Sequence, residues 1–344
     1  HCHTRRQRQM CIRDRNKVPP IWFMRQAGRY LPEYQRIRRS YKNFLDMCKE
    51  PKICAELALQ PIERFNLDAS ILFSDILTIP DAFDLGLAFH EGEGPKFSNP
   101  ISHPADISKL KGFEIEKLSY VYKAVEETKK ILPSNLPLIG FCGSPWTLAA
   151  YSIEGGGSKD FAKTKKFISE HPQAAKDYLE IITDACFQYL KQQVLCGVNA
   201  LQIFDSWADL LNPNDLETYS LIFTRKLAKK LKEDLVTSNI PIILFEKAPQ
   251  KDISDIAFDD LSCISLHWSE SIQVIAAKLK NRFTLQGNLN PSFLLESDEV
   301  IQAETQKICN AMQNFPGFIF NLGHGITPDI KPEKVQVMID AVRA

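Results

Sequence analysis

The sequence predicts an α/β fold built as a (β/α)8 barrel in a single domain. Three observations predict it. Eight short apolar, β-branched or aromatic runs recur along the chain and end in a polar residue or glycine: "PIWFM" (20–24), "ASILFSD" (69–75), "LPLIGFCG" (136–143), "ALQIFDS" (200–206), "PIILFEK" (241–247), "SCISLHW" (262–268), "FTLQGNL" (283–289) and "GFIFNLGHG" (317–325). They are apolar throughout instead of alternating, as parallel strands covered on both faces are. Between them lie helix-like blocks, among them "DYLEIITDACFQYLKQQVL" (177–195), "LETYSLIFTRKLAKKLKEDL" (216–235) and "ESDEVIQAETQKICNAM" (296–312). Regular alternation of strand and helix is the arrangement of a parallel barrel.

The elements follow in chain order. Residues 1–18, "HCHTRRQRQMCIRDRNKV", carry six Lys or Arg against one Asp and show no apolar period. They are expected to be a basic, disordered or extraneous leader, and residues 19–344 the barrel. The leader lacks the apolar core of a signal peptide, and its "HCH" offers two ligands at a frayed end, a poor metal site. The first run leads into "WFMRQAGRY", where Arg25 and Arg29 stand four apart with no acid nearby until Glu33. On a helix, like charges at that spacing face one way and repel, so an anion is wanted. The second run ends in Ser74 and Asp75; the long connection after it contains "LAFHEGEGPKF" (87–97), which reads as a small hairpin. "EGGGS" (154–158) lacks the GK[ST] of a phosphate loop and is expected to be a mobile lid. No linker rich in Pro, Gly or Ser divides the chain.

The totals narrow the function. Hydrophobic residues make 44% and charged residues 24% of the chain, an ordinary globular balance. Lys plus Arg and Asp plus Glu both number 42, so no general affinity for nucleic acid or for an anionic membrane is implied, and any anion site is local. No run of 18 apolar residues marks a membrane span. Nine scattered cysteines without a C-x-x-C pair suit reduced thiols in a cytoplasmic protein.

A barrel carries its active site at the C-terminal ends of its strands. Those ends hold Arg25 and Arg29, Asp75, the stretch Gly143 to Tyr151, Ser206, Lys247 and His324. Each has a plainer role available. Asp75 can cap the next helix, and the arginines can pair with Glu33. Ser206 can be a core hydroxyl or a cap, and Tyr151 a core aromatic. His324 can brace the start of a last helix capped by Thr327 and opened by Pro328. Their shared position weighs more than any one of them.

At these residues the chain resembles the uroporphyrinogen decarboxylase family of the haem pathway. "PIWFMRQAGR" (20–29) and "GFCGSPWTLAAYSIEG" (140–155) look like its two signatures, and "FSDIL", "GNL" and "NLGHG" fall in the expected order. The resemblance implies a barrel, commonly a homodimer, working without cofactor or metal on uroporphyrinogen, whose four acetates become methyls. Eight substrate carboxylates would then be the missing anions, which guanidinium binds bidentately. It also implies that Asp75, Arg25 and Arg29 are catalytic and that these three with Tyr151, Ser206 and His324 bind substrate. Asp75 would accept the inward pyrrole N–H groups as an ionised carboxylate, a form that nearby arginines would favour. An arginine and a substrate carboxyl are the two candidates for delivering the first proton. Three departures from the pattern stand out: the basic leader replaces a short first helix, "SLHW" has His267 where an acid is expected, and "GNLNP" has Asn290 where Asp is common.

Three rival readings remain. Methyltransferases of related fold use a zinc thiolate site with an H-x-C element, and no His here is followed two residues later by Cys. A Schiff-base enzyme would use a strand-end lysine such as Lys247. A non-catalytic tetrapyrrole-binding barrel would keep the arginines and lose Asp75.

Overall fold

The computed structural model describes residues 18–90, 94–110, 112–248, 252–280 and 282–344. The leader expected over 1–18 thus lies outside the described residues except for Val18. Seven strands form one sheet in the order β1 (Ser70–Ile71), β4 (Leu138–Gly143), β5 (Ala200–Asp205), β6 (Ile242–Glu246), β7 (Cys263–Ser265), β8 (Thr284–Leu289) and β9 (Phe318–Leu322). Every neighbouring pair is parallel. The expected hairpin is present as β2 (Leu87–His90) and β3 (Gly94–Phe97), antiparallel and outside the main sheet.

The run at 20–24 differs from expectation in an informative way. It forms a single parallel bridge, Ile21 with Phe320, and not a full strand. Phe320 N–H donates to Pro20 O at 2.9 Å, and Asp68 N–H to Ile21 O at 2.9 Å. The Ile21 N–H is taken by the Asp68 carboxylate, at 3.0 Å, in place of a ladder carbonyl. The segment thereby fills the gap between β9 and the residues entering β1, and the curled sheet closes as an eight-membered barrel.

Two apolar clusters explain the unbroken runs. Trp22, Met24, Ala69, Ile139, Ala200, Ile243, Phe245, Cys263 and Ile319 form a cluster drawn from the strands and the first run, which is the barrel interior. The opposite strand faces pack against the helices in the larger cluster. Inside the barrel Trp22 Nε1 donates to Gln286 Oε1 at 2.9 Å, and Gln286 Nε2 to Ser265 Oγ at 2.9 Å, a polar layer paired as burial demands.

The three quoted helix blocks appear as Pro172–Leu195, a π-turn Leu216–Leu221 running into Ile222–Glu233, and Asp298–Met312. The last helix opens at Pro332, so Thr327 and Pro328 do not start it and His324 does not brace it. "EGGGS" is tied down instead of hanging free: Phe97 N–H donates to Gly155 O at 3.0 Å, and Lys96 bridges Gly156. Of the seven cysteines among the described residues, five are buried. No described helix is long and apolar enough to cross a membrane.

Candidate active site

The first signature is an irregular turn held by its own side chains. Gln26 is fully buried; its N–H donates to Phe23 O at 3.1 Å, its Oε1 accepts from Phe23 N–H at 3.3 Å, and its Nε2 donates to Ala69 O at 3.2 Å. Met24 is fixed from the other side, its N–H donating to Asn321 Oδ1 and its carbonyl accepting from Ile326, both at 3.1 Å. Arg25 is left with φ +62°, a left-handed conformation that costs a non-glycine residue about 1 kcal/mol or more. The two arginines therefore do not share a helical face.

What remains is that both side chains are exposed and neither guanidinium has an ion-pair or hydrogen-bond partner among the described residues. Glu33, the proposed structural partner, is taken bidentately by Arg64 at 2.6 and 2.8 Å. The plainer reading of the arginines fails on that contact.

Arg25 lies flat over Gly325: a Cβ there would come within 2.5 Å of Arg25 Cδ. This explains why glycine follows His324 in "NLGHG". His324 is half-buried, its ring edge-on to Phe245 at 6.3 Å and to His267 at 6.1 Å. Burial first, then the charge of Arg25, pushes its pKa down to about 4, so it enters the site as a neutral donor or acceptor.

Asp75 follows the short β1. Its Oδ1 accepts Leu77 N–H at 2.8 Å in a turn that leads into the helix Thr78–Ala82, whose N-cap is Leu77, so Asp75 shapes the entry to the helix without capping it. Its Oδ2 has no partner among the described residues. The side chain keeps some surface, yet protein surrounds the carboxylate closely. Burial raises its pKa to about 6 against the opposing pull of Leu77 N–H and Arg25. Arg25 favours the ionised form, as expected, and desolvation outweighs it.

The second signature builds a corner. Ser144 caps the helix Pro145–Glu154, its Oγ accepting Thr147 N–H at 3.0 Å, with Pro145 at the first position. Thr147 Oγ1 donates to the buried Asp205 at 2.8 Å and accepts Ser206 N–H at 3.0 Å. Ser220 also donates to Asp205, and Trp146 Nε1 donates to Trp207 O at 2.9 Å. The turn Asp205–Trp207 is thus fixed, leaving the half-buried Ser206 hydroxyl without a partner among the described residues. Tyr151, on the same helix, packs edge-on to Trp207 and Phe161, each at 5.8 Å. Burial raises its phenol pKa, so it stays a neutral O–H.

The pull of Arg25 on Asp75, Tyr151 and His324 links four of the six predicted residues at one end of the barrel; Ser206 follows β5 at the same end, and Arg29 makes no contact with the other five among the described residues. Sequence reasoning missed the buried Asp205, whose partners lie 58 and 15 residues away, and the pair Lys247–Asp209 at 2.6 Å. That ion pair also counts against the Schiff-base reading, which needs a free amine. Among the described residues no group of three or more His, Cys, Asp or Glu is placed to hold a metal ion.

Comparison with known proteins adds sequence and fold relatives. A methyltransferase from Methanosarcina mazei has a similar fold, with a TM-score of 0.81 at 18% identity over 99% of each chain. The vitamin-B12-independent methionine synthase of Shewanella sp. W3-18-1 matches at a TM-score of 0.53 and 11% identity over 85% of each chain. Uroporphyrinogen decarboxylase of Vesicomyosocius okutanii is 46% identical over 323 residues, 94% of this chain and 93% of that one. The same enzyme of Legionella pneumophila (strain Lens) is 44% identical over 324 residues, 94% and 92% of the two chains. The family model described as uroporphyrinogen decarboxylase (URO-D) matches residues 4–344, and the chain belongs to that family.

Proposed function

We infer that this chain is a carboxy-lyase that decarboxylates the four acetate side chains of uroporphyrinogen III to methyls, giving coproporphyrinogen III, without a metal or organic cofactor. The observation that carries the assignment of roles is the exposed Arg25, whose guanidinium has no partner among the described residues, acting on the nearly enclosed Asp75 carboxylate, with a second such guanidinium, Arg29, four residues on. Arg25 and Arg29 hold substrate carboxylates as bidentate forks. Tyr151, Ser206 and His324 donate to the remaining acetates and propionates as neutral groups. Asp75 Oδ2 accepts the pyrrole N–H groups of a domed macrocycle.

The chemistry follows from where charge develops. A pyrrole protonated on a ring carbon becomes the electron sink. The bond between the acetate methylene and its carboxylate breaks, CO2 leaves, and the bonding pair passes into the ring. A proton on the exposed methylene completes the methyl, and loss of the ring proton restores the pyrrole. The ring is cationic in the transition state, and Asp75 placed against its nitrogen stabilises that charge in a site of low dielectric.

The test is incubation with enzymatically generated uroporphyrinogen and chromatography of the oxidised products. The expected pattern is coproporphyrin preceded by seven-, six- and five-carboxyl intermediates, unchanged after dialysis against chelator. Recovery of uroporphyrin alone overturns the assignment; activity that returns only with added zinc or a coenzyme overturns the cofactor-free chemistry. The chain is further proposed to be a cytoplasmic homodimer, as its family resemblance implies; sedimentation at the monomer mass would contradict the dimer.

A further inference from the structure

Around the barrel mouth, the ends of β6 and β7 stand between Ser206 and His324 without an assigned group. Lys247 closes β6. Its N–H donates to Asp205 O at 3.1 Å, so its backbone hangs on the residue that also fixes the turn at Ser206. Its Nζ lies 2.6 Å from Asp209 Oδ2, with the two side chains 25% and 26% exposed. The same Nζ is 5.9 Å from the centre of the Trp207 ring, which also packs edge-on to Tyr151. The Lys247 charge also reaches both His267 and His324. Counting from the first run, β6 is fifth of the eight barrel positions, so Lys247 stands across the mouth from Arg25.

This ammonium is only partly used. It has three donors, and Asp209 takes it with one oxygen while Asp209 Oδ1 is buried and accepts no hydrogen bond. Beside it, His267 is 6% exposed. Its Nδ1 lies 2.8 Å from Ser269 Oγ and accepts Ser269 N–H at 3.4 Å, which places the ring proton on Nε2. Burial, and then the Lys247 charge, keeps that ring neutral near pH 7. A tethered cation and a neutral N–H donor within its electrostatic reach therefore follow the ends of neighbouring strands. An acid at position 267 would compete with a ligand for the ammonium; the histidine does not.

We propose that Lys247, oriented by Asp209 and flanked by the His267 ring N–H, is a second carboxylate-binding station that holds a propionate of the tetrapyrrole across the ring from Arg25 and Arg29. It rests on the mouth being a tetrapyrrole site. Cations on one side alone would fix one edge of the macrocycle; cations on both sides fix its tilt over Asp75.

Steady-state kinetics with uroporphyrinogen test the station, with folding checked by circular dichroism. Lys247→Gln is expected to raise KM about tenfold, the loss of one charged hydrogen bond, with a smaller change in kcat. Lys247→Arg keeps the charge and recovers most of the loss. Asp209→Asn loosens the ammonium and raises KM less than Lys247→Gln does. An unchanged KM in Lys247→Gln, or a fall confined to kcat, overturns the station while leaving the rest of the mouth standing. If Lys247→Gln does not fold, an unchanged KM in Asp209→Asn has the same force. Absence of turnover in the parent protein overturns instead the reading of the whole mouth.

Discussion

Asp75 uses its two oxygens for two purposes: Oδ1 holds Leu77 N–H, and Oδ2 has no partner among the described residues. Its folded pKa, raised to about 6 by burial, lies above the ordinary value of 3.8. The sign follows. The proton-linked stability is present below the unfolded pKa and is lost as pH rises through about 6. Asp75→Asn, which keeps an acceptor for Leu77 N–H, should therefore melt higher than the parent at pH 7.5, with the gap closing toward pH 4; equal gaps at both pH values would contradict the burial account. The free enzyme should lose kcat/KM as pH falls through about 6, where the acceptor becomes protonated; a flat profile from pH 7 to 5 would show that the charge is not needed. Arg29→Lys keeps charge but loses the fork, so KM should rise about tenfold and partly decarboxylated products accumulate. Within "NLGHG" two glycines predict different outcomes. A Cβ at Gly325 meets the flexible Arg25 side chain, so Gly325→Ala should raise KM with little change in melting. A Cβ at Gly323 comes within 2.3 Å of the Trp268 backbone, so Gly323→Ala should destabilise the fold. The reverse ranking in melting temperature would contradict this packing.

At the scale of elements, the corner between β5 and the helix Pro145–Glu154 rests on the buried Asp205, which accepts from Thr147 and Ser220. Thr147→Val removes one donor and should cost about 1–3 kcal/mol, the usual penalty for a buried polar group left short, measurable by denaturant unfolding. It also frees Ser206 N–H. A cost near zero would mean that the corner is held by packing alone. This pairing was illegible in the sequence because Ser220 enters on a π-turn, whose period matches no helical template. The strands were legible because runs apolar on both faces leave few alternatives. β1 is only two residues long, against the expected seven, because the chain turns away toward Asp75. The period argument failed at Arg25 and Arg29 because it presumed a helix, whereas the buried Gln26 closes a turn and Arg25 takes a positive φ.

For the whole molecule, closure depends on the first run. Asp68 binds Ile21 N–H, and Phe320 N–H binds Pro20 O. A chain beginning at Val18 keeps both and should melt with the full chain, while one beginning at Phe23 should not fold; a large loss in the former would show that residues 1–17 take part in folding. Closure also brings Arg25, from the first run, over Asp75 at the end of β1 and His324 after β9, residues up to 299 positions apart in the sequence that no local motif joins. Strand-end reasoning put these six among its candidates because a barrel gathers its strand ends at one mouth, and the family resemblance singled them out. The measurement that bears most directly on this arrangement is the turnover of Asp75→Asn with uroporphyrinogen, followed through each intermediate. Loss of a term that belongs to the transition state should lower kcat by about a hundredfold or more, equally at all four steps, since each pyrrole meets the same carboxylate. Near-normal turnover, or a defect limited to one step, would reduce Asp75 to a turn-forming residue and contradict the account.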